Sequence, residues 1–248
     1  MSAEQNDDIY LSVVIPCHNE EGNLPLLLQG IHAALKNAGI RYEVIVTDDC
    51  STDSSWRVLQ DLAKTDTHLR AQKLNRNCGE SAASWAGIKA ARGAWIVTMD
   101  ADLQNNPEDL PKFLAATHQA DCICGSRVDN RSDGDHVIRV ISSRVANAVR
   151  NALSGEQISD AGCTYRMFRR EAVANLKFFK GMHRFLPTLM KIEGFTVVEV
   201  AVSNNPRFSG TAHYGVWNRL FASFYDLLAV RWMKVRMFPF SVAERTDN

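Results

Sequence analysis

Acidic side chains follow three separate β-branched apolar runs of the sequence. These side chains are Glu20, Asp48, Asp49, Asp100 and Asp102. Each run predicts a buried strand, and ligands of open α/β sheets bind at the carboxyl ends of the strands. Carboxylates gathered at one edge repel each other unless a cation or hydrogen-bond donors compensate. The pattern therefore predicts a ligand site at one edge of a sheet.

The pair Asp100-x-Asp102 has a specific chemical rationale. Alternate residues leaving a strand point to opposite sides, so one carboxylate can accept from a nucleotide hydroxyl while the other binds a metal. Mg²⁺ or Mn²⁺ prefers a few carboxylate and amide oxygens together with diphosphate oxygens. Asp102 and Gln104 offer such oxygens. The alternative is a solvated acidic loop, because two aspartates at this spacing often occur by chance.

Several function classes are disfavoured. No G-x-G-x-x-G or G-x-x-x-x-G-K-[ST] motif follows a predicted strand, which argues against an NAD-dependent enzyme and a P-loop NTPase. The 248 residues carry 28 Lys+Arg and 28 Asp+Glu, so the chain lacks the basic balance of a nucleic-acid binder. This balance hides an asymmetry, since residues 1–124 hold 10 basic and 17 acidic side chains and residues 125–248 hold 18 and 11.

Compartment signals favour the cytoplasm. The six cysteines are scattered without a C-x-x-C pair, which is typical of buried thiols in a reducing cytosol. The polar start, Met1 to Asp8, predicts no secretory signal, and no run of about 18 apolar residues predicts a membrane-spanning helix.

The elements that must position these residues alternate along the chain. Strands are predicted at 10–15 (ended by Pro16), 43–47, 69–74, 94–99, 121–125 and 197–202. Helices are predicted at 23–38, 80–91, 137–153 and 214–237, from Pro107, and after a cap at Ser51 or Asp53 in a segment that carries Trp56, Leu59 and Leu62. A run of βα units predicts an α/β domain with a mostly parallel sheet flanked by helices.

Four segments, in order, resemble family-2 glycosyltransferases of the GT-A fold. They are VVIPCHNEE, VTDDCSTDSS, LNRNCGESAASWAGIKAARG and MDADLQNNPEDLP. The resemblance covers residues 10–237 and is strongest to the dolichyl-phosphate mannosyltransferase-like branch, which moves a sugar from a nucleotide onto polyprenyl phosphate. It is extended by Gly125-Ser126-Arg127, Arg139-x-x-x-Ser143, the segment 160–166 and Arg207-x-Ser-Gly-x-x-x-Tyr214. Three positions depart from the family pattern: His18 replaces Tyr, Cys50 replaces Gly, and Thr211-Ala212-His213-Tyr214 replaces a Ser-Lys-Tyr sequence.

The resemblance implies a role for each matching residue. Pro16, His18, Glu20 and Asp49 would line the base and ribose pocket, and Asp100 would bind ribose or take a second acidic role. Asp102 and Gln104 would hold Mg²⁺ or Mn²⁺ on the donor diphosphate. Arg127, Arg139, Ser143 and Arg207 would hold the donor diphosphate and the acceptor phosphate, and Asp160 would act in the active site.

The implied reaction is inverting transfer of a hexose, with mannose first, from a GDP- or UDP-sugar to polyprenyl phosphate. One alternative is transfer to a sugar or protein hydroxyl, for which Asp160 would be the base. Another is a non-catalytic nucleotide-sugar-binding scaffold at a membrane.

The last predicted helix suggests how the chain meets a lipid acceptor. Its apolar positions include Trp217, Leu220, Phe221, Phe224, Leu227 and Leu228, followed by Arg231, Lys234 and Arg236. This pattern fits a core or dimer helix, or an interfacial helix on a membrane. We therefore expect a polar tail (1–8), a GT-A domain (9–212) and an amphipathic interfacial segment (213–248) at the cytoplasmic face of a membrane. A membrane-anchored partner subunit and a homo-oligomer both remain open.

Overall fold

The computed structural model describes residues 9–127, 158–160, 162–203, 205, 216–238 and 244, and for 216–223 it describes the backbone alone. In this part of the chain one sheet contains β1 (Leu11–Cys17), β2 (Tyr42–Asp48), β3 (Leu69–Lys73), β4 (Trp95–Thr98), β5 (Cys122–Ser126), β6 (Arg166–Arg169) and β7 (Val197–Ala201). The strand order is β3-β2-β1-β4-β6-β5-β7. Every pairing is parallel except those of β6 with β4 and β5. The predicted mostly parallel sheet is confirmed.

Helices cover both faces of the sheet. They are α1 (Leu24–Leu35), α2 (Ser55–Leu62), α3 (Glu80–Ala90), α4 (Leu110–Ala115), α5 (Leu186–Ile192) and α6 (Val216–Arg236). Short 3₁₀ segments lie at Pro107–Asp109, Arg170–Val173 and Met182–Arg184. The helix predicted at 137–153 lies outside the described residues.

Each face of the sheet carries an apolar layer. In β1, Val13 and Ile15 pack into the layer that α1, α2 and α4 complete, whereas Val14 packs into the opposite layer with α3, α5 and α6. Successive side chains of a strand point to opposite faces, so one buried strand supplies both layers. Gly87 allows α3 to approach β1 closely, because a Cβ at this position would lie 2.5 Å from Val14 Cγ1. The carboxyl ends of the central strands are therefore held firmly at one edge.

One local prediction was wrong, and one strand was not predicted. Pro16 does not end the first strand, which continues to Cys17. Because β1 pairs with β4 only as far as Val14, the missing N–H of Pro16 costs no hydrogen bond to β4. The run of βα units continues along the chain to β5 as predicted, but the sequence did not predict β6, which lies between β4 and β5 in the sheet and runs antiparallel to both.

The cysteines behave as the sequence predicts. All six are free, and Cys17, Cys122, Cys124 and Cys163 are buried. Burial raises the pKa of the Cys17 thiol to about 12 and that of Cys163 to about 11, so both remain protonated near neutral pH. Within the described residues, no helix is both long and apolar enough to cross a bilayer.

Candidate active site

Hydrogen bonds join the loop after β1 to the loop after β2. Asn19, with a φ of 60°, accepts from the backbone N–H of Thr52 at 2.8 Å, and its own N–H donates to Ser51 Oγ at 3.0 Å. The N–H of Glu20 donates to Ser55 Oγ at 2.8 Å. Asparagine tolerates the left-handed backbone region better than most residues do. The two loops therefore form one wall at the carboxyl edge of the sheet.

The two aspartates after β2 have different partners. Asp48 is fully buried and accepts from the N–H of Ser51 at 3.2 Å. Asp49 accepts from the N–H groups of Cys78 and Gly79, each at 2.7 Å and each through a different carboxylate oxygen. Gly79 has a φ of 87° and precedes α3, so Asp49 fixes the start of α3 beside β2.

His18 and Glu20 lie at the rim of this wall. The His18 side chain is exposed, and its Nδ1 lies 3.1 Å from the backbone oxygen of Asp49. The amide nitrogen of Asn77 lies 3.3 Å from the same ring nitrogen. Glu20 accepts from Asn23 Nδ2 at 2.5 Å. The predicted base-pocket residues His18, Glu20 and Asp49 are thus brought together at one edge.

Asp100 is fixed at the carboxyl end of β4. Its side chain accepts from Thr164 Oγ1 at 2.5 Å, and its N–H donates to Asn105 Oδ1 at 2.8 Å. A small cavity of about 10 Å³, lined in part by Pro16 and Thr164, adjoins it. Burial raises the pKa of Asp100; the hydrogen bond from Thr164 opposes this rise, and the negative charge of Asp102 adds to it. Pro16 and Asp100 therefore share one pocket, in which negative charge is costly.

Asp102 and Gln104 form a tight turn. Asp102 is only 9% exposed, and its carboxylate accepts from the N–H of Gln104 at 3.1 Å. Leu103 between them has a φ of 63°, and the backbone oxygen of Gln104 accepts from the N–H of Asn205 at 3.1 Å. The turn is thus anchored on both sides.

This turn fits a divalent cation. Carboxylate and amide oxygens are the donors that Mg²⁺ and Mn²⁺ prefer, and a cation would relieve the repulsion between Asp100 and Asp102. Within the described residues, the only grouping of three or more His, Cys, Asp or Glu ligand atoms lies at the other edge of the sheet. A cation here would therefore complete its coordination with substrate oxygens, as Mg²⁺ commonly does.

Arg127 and Asp160 form an ion pair at the end of β5. Arg127 Nε donates to Asp160 Oδ2 at 2.7 Å, and Nη2 donates to Oδ1 at 3.1 Å. The backbone N–H of Arg127 also donates to Oδ2, at 3.2 Å. The Asp160 side chain is almost fully buried, and its hydrogen bond raises the pKa of Arg127 above its ordinary value. The pair is a fixed part of the site.

Glu199 of β7 holds the segment that carries Asp160. Its carboxylate accepts from the N–H of Ser159 at 2.9 Å and from Ser159 Oγ at 2.8 Å. The N–H of Asp160 donates to the same carboxylate at 3.3 Å. The backbone of Asp160, whose carboxylate orients Arg127, is therefore held by a residue of the neighbouring strand.

Three residues that position the site were not identified from the sequence, and three predicted site residues lie outside the described residues. Asn105, Thr164 and Glu199 fix the site. Asn105 and Thr164 fall in segments of the resemblance, but no spacing distinguishes them from their neighbours, and Glu199 falls in none of these segments. The predicted phosphate ligands Arg139, Ser143 and Arg207 lie outside the described residues.

Comparisons with known proteins agree on one family. The family model described as glycosyl transferase family 2 matches residues 12–177. An undecaprenyl-phosphate 4-deoxy-4-formamido-L-arabinose transferase of Photorhabdus laumondii is 36% identical over 229 residues, which are 92% of this chain and 69% of the relative. A dodecaprenyl-phosphate galacturonate synthase of Rhizobium johnstonii is 35% identical over 225 residues, 89% of this chain and 66% of the relative. The chain spans about two thirds of the length of these relatives.

A solved structure shares the fold. Glucosyl-3-phosphoglycerate synthase from Mycobacterium tuberculosis, in complex with Mn²⁺, uridine diphosphate and phosphoglyceric acid, superimposes with a TM-score of 0.67. The match covers 94% of this chain and 80% of that chain at 19% identity. At this identity the likeness establishes the fold alone, and it agrees with the predicted GT-A architecture.

Proposed function

The chain belongs to glycosyl transferase family 2, and from this premise we propose that it transfers a sugar from a nucleoside-diphosphate sugar to polyprenyl phosphate, with inversion at the anomeric carbon. Both relatives are named as polyprenyl-phosphate enzymes, one for undecaprenyl phosphate and one for dodecaprenyl phosphate, which supports this acceptor. The strand-end carboxylates and the neighbouring ion pair support a site for two anionic substrates.

The Arg127–Asp160 ion pair is the observation that carries the choice of acceptor. A hydroxyl acceptor needs a general base, and Asp160 is the candidate. Both Asp160 oxygens accept from Arg127, so this carboxylate serves as the counter-ion of a guanidinium. A phosphate monoester is already an anion near pH 7, because its second pKa is about 6, and it needs no base. The pair therefore favours a phosphate acceptor over a hydroxyl.

Arg127 can bind an anion while it remains paired with Asp160. A guanidinium has five N–H donors, and the two side-chain bonds to Asp160 use two of them. Arginine suits planar, bidentate recognition of phosphate. We assign Arg127, together with Arg139, Ser143 and Arg207, to the donor diphosphate and the acceptor phosphate. These groups lower the repulsion between two phosphate-bearing substrates and so help to align them.

The carboxyl edge of β1, β2 and β4 is assigned to the nucleotide. Pro16, His18, Glu20 and Asp49 line the base and ribose pocket, and Asp100 binds a ribose hydroxyl or takes a second acidic role. Asp102 and Gln104 would hold Mg²⁺ or Mn²⁺ on the donor diphosphate. When bound, such an ion supplies positive charge to the departing diphosphate.

The transferred sugar is the finer part of the proposal. The resemblance to the dolichyl-phosphate mannosyltransferase-like branch puts mannose first, whereas the two relatives are named for 4-deoxy-4-formamido-L-arabinose and galacturonate. The donors to be compared are therefore GDP-mannose and the UDP-linked forms of those two sugars. Thermal shifts with each donor and Mg²⁺ or Mn²⁺ rank them, because a ligand stabilises the folded state that binds it.

A lipid acceptor requires contact with a membrane, and we assign this contact to the segment 213–248. In α6, Leu227 and Val230 are buried against the domain. Large apolar side chains on the rest of the helix are exposed: Phe224, Tyr225, Leu228, Trp232 and Val235. Exposed aromatic side chains beside basic residues fit an interfacial helix, and we place it at the cytoplasmic face of a membrane.

The test supplies radiolabelled nucleotide sugar with polyprenyl phosphate and measures label in the lipid extract and in the aqueous phase. Label is expected in the lipid extract, dependent on Mg²⁺ or Mn²⁺, and absent with a folded Asp102→Ala variant. Glu108→Gln, which changes an exposed acid on the same loop, is the matched control and is expected to keep its activity. Label in an aqueous product would support the hydroxyl acceptor. Full activity of Asp102→Ala would overturn the assignment of the site.

A further inference from the structure

A second group of metal-ligating side chains lies at the sheet edge opposite the candidate active site. His32 belongs to the last turn of α1, Tyr42 begins β2, and Asp66 and His68 precede β3. The active-site carboxylate Asp49 follows the other end of β2. A strand of seven residues spans about 20 Å, so the two sites are well separated.

The ligand atoms are close to the spacing that a metal requires. His32 Nε2 lies 2.7 Å from Asp66 Oδ2, and His68 Nδ1 lies 3.8 Å from Asp66 Oδ1. One ligand atom from each of the three residues lies within 4.8 Å of the others. With Zn–N and Zn–O bonds of about 2.0–2.1 Å in a tetrahedron, ligand atoms are about 3.3 Å apart. The two contacts with Asp66, which use different carboxylate oxygens, each differ from this spacing by roughly half an ångström. The separations among the three ligand atoms, at most 4.8 Å, would have to shorten by no more than about 1.5 Å.

Further contacts, made by Tyr42 and by the backbone of His68, orient the three ligand side chains. Tyr42 Oη lies 2.8 Å from His32 Nδ1, the ring nitrogen remote from Asp66. The Tyr42 ring stacks on the His68 ring with centroids 4.4 Å apart and planes inclined by 21°. The backbone N–H of His68 donates to Asp66 Oδ1 at 2.9 Å. Metal-binding histidines commonly have such a partner on the second ring nitrogen, which fixes the tautomer.

We propose that His32, Asp66 and His68 form a Zn²⁺ site, with water as the fourth ligand, that ties the end of α1 to the sheet. Two imidazoles and one carboxylate suit zinc and disfavour Mg²⁺, which prefers oxygen ligands. The His32 and His68 side chains are 31% and 44% exposed, so an ion can reach them. Coordination at His32 Nε2 places the ring proton on Nδ1, where it donates to the Tyr42 hydroxyl oxygen.

The test is calorimetric titration of the full chain with Zn²⁺ in excess Mg²⁺. We expect one Zn²⁺ per chain, at least 100-fold weaker binding in His32→Ala and His68→Ala, and about tenfold weaker binding in Tyr42→Phe. His118→Ala, which removes an exposed histidine elsewhere, is the matched control and should bind as the wild type does. The site should persist in Asp102→Ala, which separates it from the candidate active site.

Two further readouts make the result decisive. Zn²⁺ should raise the melting temperature of the wild type but not that of His68→Ala, which removes only a partly exposed ring and so leaves the core intact. Co²⁺ should give the visible bands of a tetrahedral site without thiolate charge-transfer absorption. Unchanged affinity in a folded His32→Ala/His68→Ala double variant would overturn the proposal. Thiolate absorption, which would place the ion on a cysteine such as Cys50, would also overturn it.

Discussion

Arg127 and Asp160 hold each other in a bidentate ion pair, with Nε donating to one carboxylate oxygen at 2.7 Å and Nη2 to the other at 3.1 Å. Glu199 fixes Asp160 from β7, so the guanidinium has little freedom to turn. A planar group in a fixed orientation suits recognition of a phosphate. We therefore interpret Asp160 as a residue that positions Arg127.

The first prediction concerns this pair. Asp160→Asn and Arg127→Lys are each expected to lower turnover about 100-fold, because a misplaced phosphate-binding group misaligns the substrates. Since both changes break the same unit, the double variant should lose little more than the single variants. The pH profile of Asp160→Asn should keep the wild-type shape, which loss of a general base would not allow.

The matched control is Asp121→Asn. Asp121 forms an ion pair with Arg169 at 3.0 Å beside the opposite end of β5. Its removal is expected to leave turnover unchanged. Additive losses in the Arg127 and Asp160 variants, or an altered pH profile, would contradict the positioning role.

The second prediction concerns pH and stability at Asp100. Burial, reinforced by Asp102, raises the folded-state pKa of Asp100 above its ordinary 3.8. Its protonated form therefore stabilises the fold fully below pH 3.8, and this contribution is lost as the pH rises through the folded-state pKa. Ionisation of the buried group therefore costs stability as the pH rises. Asp100→Asn should melt at a higher temperature than the wild type at pH 7, by a margin that shrinks toward pH 4, while activity falls.

Asp53 provides a control of opposite sign for these melting curves. Burial acts to raise the pKa of Asp53, but hydrogen bonds, chiefly from Ser55, lower it below its ordinary value. Its stabilising contribution is present above pH 3.8 and is lost as the pH falls through the folded-state pKa. Asp53→Asn should therefore melt at a lower temperature at pH 7. A lower melting temperature for Asp100→Asn at pH 7 would contradict the account.

The third prediction concerns Cys50, which stands where the resembling family usually has glycine. Cys50 has a φ of 57°, in the left-handed region that side chains with a Cβ rarely adopt. Cys50→Gly should raise the free energy of unfolding by about 1 kcal/mol, because relief of strain exceeds the added chain entropy. Urea denaturation measures the change. Cys78→Gly, at a position outside that region, should lower the free energy of unfolding by about 0.5–1 kcal/mol. A Cys50→Gly variant less stable than the wild type would refute the strain at this position.

The fourth prediction concerns the exposed side of α6. Trp232 is 63% exposed, so Trp232→Ala should leave the melting temperature nearly unchanged. It should weaken binding to vesicles containing anionic lipid about tenfold, because the indole loses its burial in the bilayer interface. Vesicle sedimentation measures the binding. Phe178→Ala removes another exposed aromatic ring, one that does not belong to α6, and should bind as the wild type does. Equal binding of the Trp232 variant and the wild type would argue against an interfacial helix.

Much of the fold was predictable, because a long apolar pattern matches the period of a helix or of a strand but not both. The predicted apolar positions Leu24, Leu27, Leu28 and Ile31 of α1 are all buried. The strand β6 was not predictable, because its four residues, Arg166–Arg169, are too few to show a period and include two arginines.

The part of the site that lies at the strand ends was predictable. The part that depends on contacts between segments far apart in the sequence was not. His18, Asp49 and Asp100 follow parallel strands, and the topology alone brings them to one edge. The contact between Arg127 and Asp160 arises because the chain before β6 returns beside the end of β5, where the N–H of Gly125 donates to Tyr165 O at 2.9 Å. No local spacing in the sequence encodes that return.

The most direct test offers two acceptors that differ in one group. Wild-type protein receives radiolabelled nucleotide sugar with Mg²⁺ or Mn²⁺ and either polyprenyl phosphate or the matching free polyprenol. Labelled lipid is expected with polyprenyl phosphate and none with the alcohol, because Asp160, the candidate base, is committed to Arg127. Comparable transfer to the free polyprenol would contradict this expectation.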